Sequence, residues 1–375
     1  MKLVIKNEDL EFATQAVHRL VNAQSSLPIL SNLLIKAEGE RIIITASDLE
    51  SSVRCNVPAQ ADEKFSFTVP ATTFTSLVKE LPDGDITLEV VEDKVTVCSA
   101  SMRYQLATLD PIDFPAWPEF EPQATIEIQQ PVLKKAFESV VFAIPTRDPR
   151  KVLLGAYLDI DELSFKCVGT DGKKLGFMQA EVEAHTGDAQ INAIVPHKIM
   201  SEVMGALKDS GTCQILIGER QLAFNLGSVV YVTNKLDGAY PNYNRVIPQE
   251  FEKTLAMNKS QLSNTIRQAA IIAEAKNNSV KFRFADGELH IEANTYDVGS
   301  YAGSLPIEYD GEDFEMVFNH RFVSEVLRVI GAEDVQLKAN KSVSPAVFQG
   351  AGDDSTLFVI MPIKLADLAD GAQDE

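Results

Sequence analysis

The chain has 375 residues, 45% hydrophobic and 23% charged, the balance of an ordinary globular protein with room for two or three domains. Its formal net charge of -20 argues against broad surface attraction to nucleic acid, because nonspecific affinity comes from cations that displace counterions. The Met1–Asp9 stretch reaches charge too early for a signal-peptide core and no apolar run is long enough to span a bilayer, so a cytoplasmic address without a membrane partner is expected.

In chain order, the first pattern is helical, with Leu10, Ala13 and Val17 on one face. Alternation over Ile42–Ala46 predicts a strand that ends near Asp48. Val69–Leu81 predicts a second helix, with Phe74, Leu77, Val78 and Leu81 facing a core and Pro70 in its first turn. The turn Pro82-Asp83-Gly84 leads to a strand over Ile86–Val90, and a linker falls near Phe120–Gln123. The order then recurs. Leu133, Ala136 and Val140 predict a helix, a strand from Leu163 ends near Asp171, and Val195–Leu207 predicts a helix entered through Pro196. The turn Asp209-Ser210-Gly211, a strand over Val229–Thr233 and a linker near Pro248–Glu250 follow. The last third gives a helix through Leu262, Thr265 and Ala269, a strand from Leu289 toward Asp297, and a helix over Phe318–Ile330 capped by Asn319.

These landmarks keep one period. The windows opening at Val69, Val195 and Phe318 start 126 and 123 residues apart, and the three aspartates are 123 and 126 residues apart. Each unit has two helices and about eight short strands, which is an α+β domain. Three repeated domains are expected at residues 1–121, 125–249 and 250–365, with an acidic tail over 366–375 expected to be disordered. The six helical windows hold ten basic residues against Glu11, Glu80, Glu138, Glu202 and Glu325, a net of +5 that leaves -25 for the rest. A surface lined by those helices would suit phosphates while the outside would not.

Little points to chemistry. Cys55, Cys98, Cys167 and Cys213 lie far apart in apolar stretches and read as buried reduced thiols, without zinc spacing. His18, His185, His197, His290 and His320 are scattered, and no dinucleotide, P-loop, nucleophile-elbow or zinc-protease motif occurs. The series Asp48, Asp171 and Asp297 suits strand-end turns. No catalytic residue, metal or cofactor is expected, and a peptide-binding repeat scaffold without DNA remains the alternative class.

Four strings stand in register: Leu27–Leu33, Thr170-Asp171-Gly172 with Leu175, Leu236–Pro248, and Phe358–Leu365. Through them, and over nearly all of Met1 to Leu365, the sequence resembles the bacterial DNA polymerase III beta subunit, the replicative sliding clamp. The resemblance implies a non-enzymatic head-to-tail homodimer that closes as a pseudo-six-fold ring, with helices lining the hole and sheets outside. Duplex DNA would be encircled without sequence readout. The DNA polymerase III alpha subunit, the clamp loader, other polymerases and repair proteins would dock through short peptides bearing a glutamine and hydrophobic anchors.

The implied peptide pocket, between the second and third domains, comprises Leu153, Thr170, Gly172, Lys173, Lys174, Leu175, Pro241, Arg245, Val246, Val359, Ile360, Met361, Pro362, Ile363, Lys364 and Leu365. DNA-facing positions would be Gln24, Thr72, Arg147, Arg150, Lys151 and Lys198, and the dimer contact Arg103, Leu106, Ile271, Ile272 and Asp297. The chain departs from the family pattern at Gln24, Thr72 and Val152, and Lys173-Lys174 replaces a His-Arg type pair, whose forked hydrogen bonding lysine cannot copy.

Overall fold

The computed structural model describes residues 1–21, 25–273, 278–296, 298–309 and 311–364, so the acidic tail lies outside the described residues. The first repeat runs β1 (Lys2–Lys6), α1 (Asn7–His18), β2 (Asn32–Ala37), β3 (Arg41–Ser47), β4 (Ser51–Pro58), β5 (Gln60–Ala61), β6 (Phe65–Pro70), α2 (Ala71–Glu80), β7 (Asp85–Val91), β8 (Lys94–Ser99) and β9 (Met102–Ala107). The second runs β10 (Ala124–Gln129), α3 (Gln130–Val141), β11 (Gly155–Asp161), β12 (Ser164–Thr170), β13 (Lys174–Glu181), β14 (Ala184–Gly187), β15 (Gln190–Pro196), α4 (His197–Ala206), β16 (Thr212–Ile217), β17 (Gln221–Asn225) and β18 (Val229–Asn234). The third runs β19 (Lys253–Asn258), α5 (Lys259–Ala273), β20 (Ser279–Ala285), β21 (Glu288–Thr295), β22 (Gly299–Pro306), β23 (Phe314–Asn319), α6 (His320–Val329), β24 (Asp334–Ala339), β25 (Ala346–Gly350) and β26 (Thr356–Ile360).

All six expected helices form, because each offers one apolar stripe to a core. In α1 that stripe is Leu10, Ala13, Thr14 and Val17, with Thr14 Oγ1 donating back to Leu10 O at 2.8 Å so that a polar side chain can be buried. Asn319 caps α6 as expected, its Oδ1 accepting from Arg321 N at 3.0 Å. The prolines correct the expectation: Pro70 and Pro196 end strands and cap α2 and α4, one position before the first turn. Leu262, Ile266, Val323 and Val326 bury against Phe282, Phe318 and Phe348, and Phe282 meets Phe318 edge-on at 5.1 Å. Three cysteines are buried and Cys98 is half-buried, all reduced, and burial pushes the Cys55 and Cys213 thiols up to about 12.

Contacts cluster into two compact units. One holds residues 1–133, 161–163 and 182–235, and the other holds 134–160, 164–181 and 236 onward, so the division runs through the second repeat. The first unit contains the sheets β5-β1-β7-β8-β9 and β14-β10-β16-β17-β18-β4-β3-β2-β6; the second contains the strand order β11-β12-β13-β26-β25-β24-β19 and the sheet β22-β21-β20-β23.

Each unit therefore has one junction where sheet runs from repeat to repeat. In the first, β18 pairs antiparallel with β4, Tyr231 facing Val53; in the second, β26 pairs antiparallel with β13, Phe358 facing Gly176. In both cases the last strand of one repeat adds to the fourth strand of the repeat before it. By that rule β9, the last strand of the first repeat, and β22, the fourth strand of the third, are left as sheet edges among the described residues. Among those residues no helix is long and apolar enough to cross a membrane.

Candidate functional site

A turn of one design marks both junctions. In the first repeat Ser47 Oγ accepts from Leu49 N at 3.2 Å, while Asp48 Oδ1 accepts from Glu50 N and Ser51 N at 3.1 and 2.7 Å. In the second, Thr170 Oγ1 accepts from Gly172 N at 3.0 Å, and Asp171 Oδ1 accepts from Lys173 N and Lys174 N at 2.7 and 2.9 Å. One carboxylate thus satisfies two amides at a strand end, which is why aspartate recurs there. The residue after it takes positive φ, 76° at Leu49 and 89° at Gly172. Glycine adopts that conformation freely and leucine does not. Asp297, third in the series, lies outside the described residues.

Beside the second turn, Thr170, Gly172, Lys173, Lys174, Leu175, Val246, Val359 and Met361 line a small dimple of about 40 Å³. Strand pairing builds it: Leu175 sits opposite Val359, and Met361 N donates to Lys173 O at 2.8 Å where β26 runs out. Leu175 and Val359 rest on a buried cluster with Val168, Phe177, Tyr243 and Val347. Tyr157 stacks on Tyr240 at 4.8 Å, and the Tyr243 hydroxyl donates to Asp159 Oδ2 at 3.0 Å. Neither Tyr240 nor Tyr243 is among the residues singled out from sequence, although both sit inside the Leu236–Pro248 string. Val246 and Met361, 39% and 38% exposed, form an apolar rim.

The other implied pocket residues divide. Pro241, Arg245 and Lys364 are exposed, while Pro362 and Ile363 are half-buried. Leu153 is buried in a short turn over Lys151–Leu154 and does not line the dimple. Ile360 is fully buried with Phe358 in the third-repeat core, because neighbours on a strand face opposite sides and Val359 faces the dimple. Leu365 lies outside the described residues. Lys174 contributes to the lining, but its ammonium donates to the Glu325 carboxylate on α6, 4.9 Å from the Phe322 ring centroid and 5.5 Å from that of Phe142. Lys173 stays exposed.

The cations are arranged differently from the expectation. Helix α1 starts at Asn7 and so includes Glu8 and Asp9, while Arg19 and Lys208 fall just past helix ends. Within observed bounds the helices carry eight basic and seven acidic residues, so a general basic helix layer is not what this chain has. The excess is local. Helices α5 and α6 hold Lys259, Arg267, Arg321 and Arg328 against Glu325, which is bound to Lys174, whereas α1 and α2 hold Lys79 against four acids. Arg267, Arg321 and Arg328 line a groove of about 490 Å³ together with Ser263 and Ser324.

Of the expected DNA-facing residues, Thr72, Arg147 and Lys151 are exposed, and Gln24 lies outside the described residues. Lys198 donates to Asp48. Arg150 forks onto Asp148 at 2.9 Å through both Nε and Nη2, and Nη2 also donates to Asp171 O at 3.1 Å. That guanidinium holds the Asp148 carboxyl down at about 2 and ties the loop to the Asp171 turn.

Arg103 is exposed and Leu106 half-buried on the β9 edge; Ile271 is exposed and Ile272 half-buried late in α5. Beside β22, Tyr296 and Val298 are exposed, a further apolar patch that sequence reasoning missed.

Three α+β repeats spliced by shared sheet are the architecture of a clamp protein. Residues 1–118, 127–242 and 244–364 match, in turn, the N-terminal, central and C-terminal domain families of the DNA polymerase III beta subunit. The beta sliding clamp of Vibrio cholerae is 31% identical over 97% of this chain and 100% of its own length, and that of Chlamydia muridarum 30% identical over 98% and 100%. The solved DNA polymerase III subunit beta from Pseudomonas aeruginosa aligns with a TM-score of 0.93 at 30% identity, covering 97% of this chain and 100% of that one. The chain belongs to the DNA polymerase III beta subunit family.

Proposed function

We propose that two copies of this chain close head to tail around duplex DNA as a sliding clamp, and that the dimple at the Asp171 turn tethers polymerases to it. The chain is then a non-catalytic subunit of DNA polymerase III, a processivity factor in DNA replication that works in the cytoplasm at the nucleoid. The repeated pairing rule carries this reading. Both junctions add a last strand to a fourth strand, and the two strands left over, β9 and β22, are the same pair of types. A second copy satisfies both edges at once, and a heterologous contact of that kind makes a ring when its rotation closes. Arg103 and Leu106 would then meet Ile271, Ile272 and the residues around Tyr296.

Topology removes the difficulty of a net charge of -20. A closed ring needs no strong attraction, only local cations at the phosphates, and the α5–α6 arginine groove with Arg147 and Lys151 supplies them. At the dimple, Val246 and Met361 would move aside for a hydrophobic anchor, a motion that methionine's unbranched side chain makes easy. The expected ligands are short peptides with a glutamine and apolar anchors, from the DNA polymerase III alpha subunit, the clamp loader, other polymerases and repair proteins.

The test is retention. The protein is loaded onto nicked circular plasmid with a bacterial clamp loader and ATP, freed of excess, and half the sample is linearised. Retention on circles with loss from linear ends is expected. Equal retention on both would mean contact binding and would overturn encirclement.

A further inference from the structure

The two junctions are built alike but filled differently. Arg19 and Glu202 correspond to Phe142 and Glu325 by the same 123-residue offset that relates Leu10 to Leu133 and Val195 to Phe318. Tyr231 corresponds to Phe358, because Val53 and Gly176, the residues opposite them, keep that offset too. In the second unit Phe142 packs edge-on against Phe358 at 5.8 Å, with the Lys174 ammonium beside it. In the first unit the corresponding positions are polar, and a cavity of about 390 Å³ opens there.

Its walls are chemically mixed. Phe12, Leu226 and Val229 give apolar surface, while Arg19 and Lys208 bring two exposed cations with no carboxylate in ion-pair reach among the described residues. Lys208 Nζ lies 5.6 Å from the Phe12 ring centroid, so the charge rides on the apolar wall. The Arg19 guanidinium lies over Gly205, where a Cβ would meet it. Tyr231, only 2% exposed, lines the floor, and its hydroxyl has no hydrogen bond among the described residues. Glu202, half-buried beside it, has its carboxyl held above the usual range by burial, with Arg19 and Lys198 opposing. The volume falls within the range of small-molecule sites.

We propose that the cavity between α1 and α4 binds a small organic anion with an aromatic body, its charged group held by Arg19 and Lys208 and a polar atom bonded to the Tyr231 hydroxyl. The chemistry is an acidic group on a flat apolar frame. Its test by titration needs neither DNA nor peptide, so its failure is distinguishable from a failure of encirclement or of peptide docking.

The probe is 8-anilinonaphthalene-1-sulfonate, an aromatic sulfonate whose fluorescence rises in apolar surroundings, titrated into the full chain. One saturable site per chain is expected. Arg19→Ala combined with Lys208→Ala should weaken binding ten-fold or more, and Tyr231→Phe about three-fold. Ala206→Trp, which fills the cavity, should abolish binding. Met361→Ala, at the dimple of the other unit, should leave it unchanged. Arg19 and Lys208 are exposed, and a thermal melt verifies that their variants stay folded. Undiminished affinity in the Arg19/Lys208 variant, absence of a saturable site, or loss on Met361→Ala would each overturn the assignment.

Discussion

The junction of the first two repeats and that of the last two share a strand pairing, a turn and a helix, yet their side chains make different objects of them. In the second unit Phe142, Phe322, Phe358, Lys174 and Glu325 close into one aromatic and ionic plug. In the first, Arg19 and Tyr231 stand where rings pack in the other, and the ion pair is moved outward to Lys198 and Asp48. Backbone hydrogen bonds fix how repeats are joined. The side chains decide whether the joint is solid core or a chamber.

The following changes would break or sharpen that contrast. Phe358→Ala removes a fully buried ring from the plug and should cost about 3–5 kcal/mol in urea titration of the full chain. Glu325→Ala strands the Lys174 ammonium, 9% exposed, and should cost about 3 kcal/mol, whereas Lys198→Ala, breaking the outward pair, should cost less than about 1 kcal/mol. Similar losses for these two would remove the distinction between plug and chamber. Replacing Arg267, Arg321 and Arg328 together with alanine should flatten the logarithmic salt dependence of DNA retention by about 2–3, and Lys198→Ala by less than about 1. Arg19→Phe with Tyr231→Phe, which copies the plug into the first unit, should raise stability by about 1 kcal/mol, seen as a higher melting temperature. Leu49→Gly, which relieves a positive φ that Gly172 already suits, should stabilise by about 0.5–1 kcal/mol.

What the sequence made legible was whatever is periodic or local. Six helices, the 123-residue offset and the aspartate turns follow from apolar spacing and from one carboxylate reaching two nearby amides. The plug was not legible, because Phe142, Lys174 and Glu325 lie far apart in the chain and meet only through strand pairing. The charge of the helix layer was misjudged because α1 was read from Leu10, which left Glu8 and Asp9 outside it, and because Arg19 and Lys208 were counted although they lie past the helix ends. Alternation was legible too: it lets only one of Val359 and Ile360 face the dimple. The chamber has no sequence signature, since it consists of side chains too small or too polar to close it.

The burial of Lys174 has a consequence for reagents. An acylating probe that seeks free amines meets Lys173 in the open, while next to it Lys174 is held by a carboxylate between two rings. Two adjacent lysines should therefore label at very different rates. The slow one serves as an internal clock for the integrity of the plug, and the fast one reports by its shielding whenever something settles over the dimple.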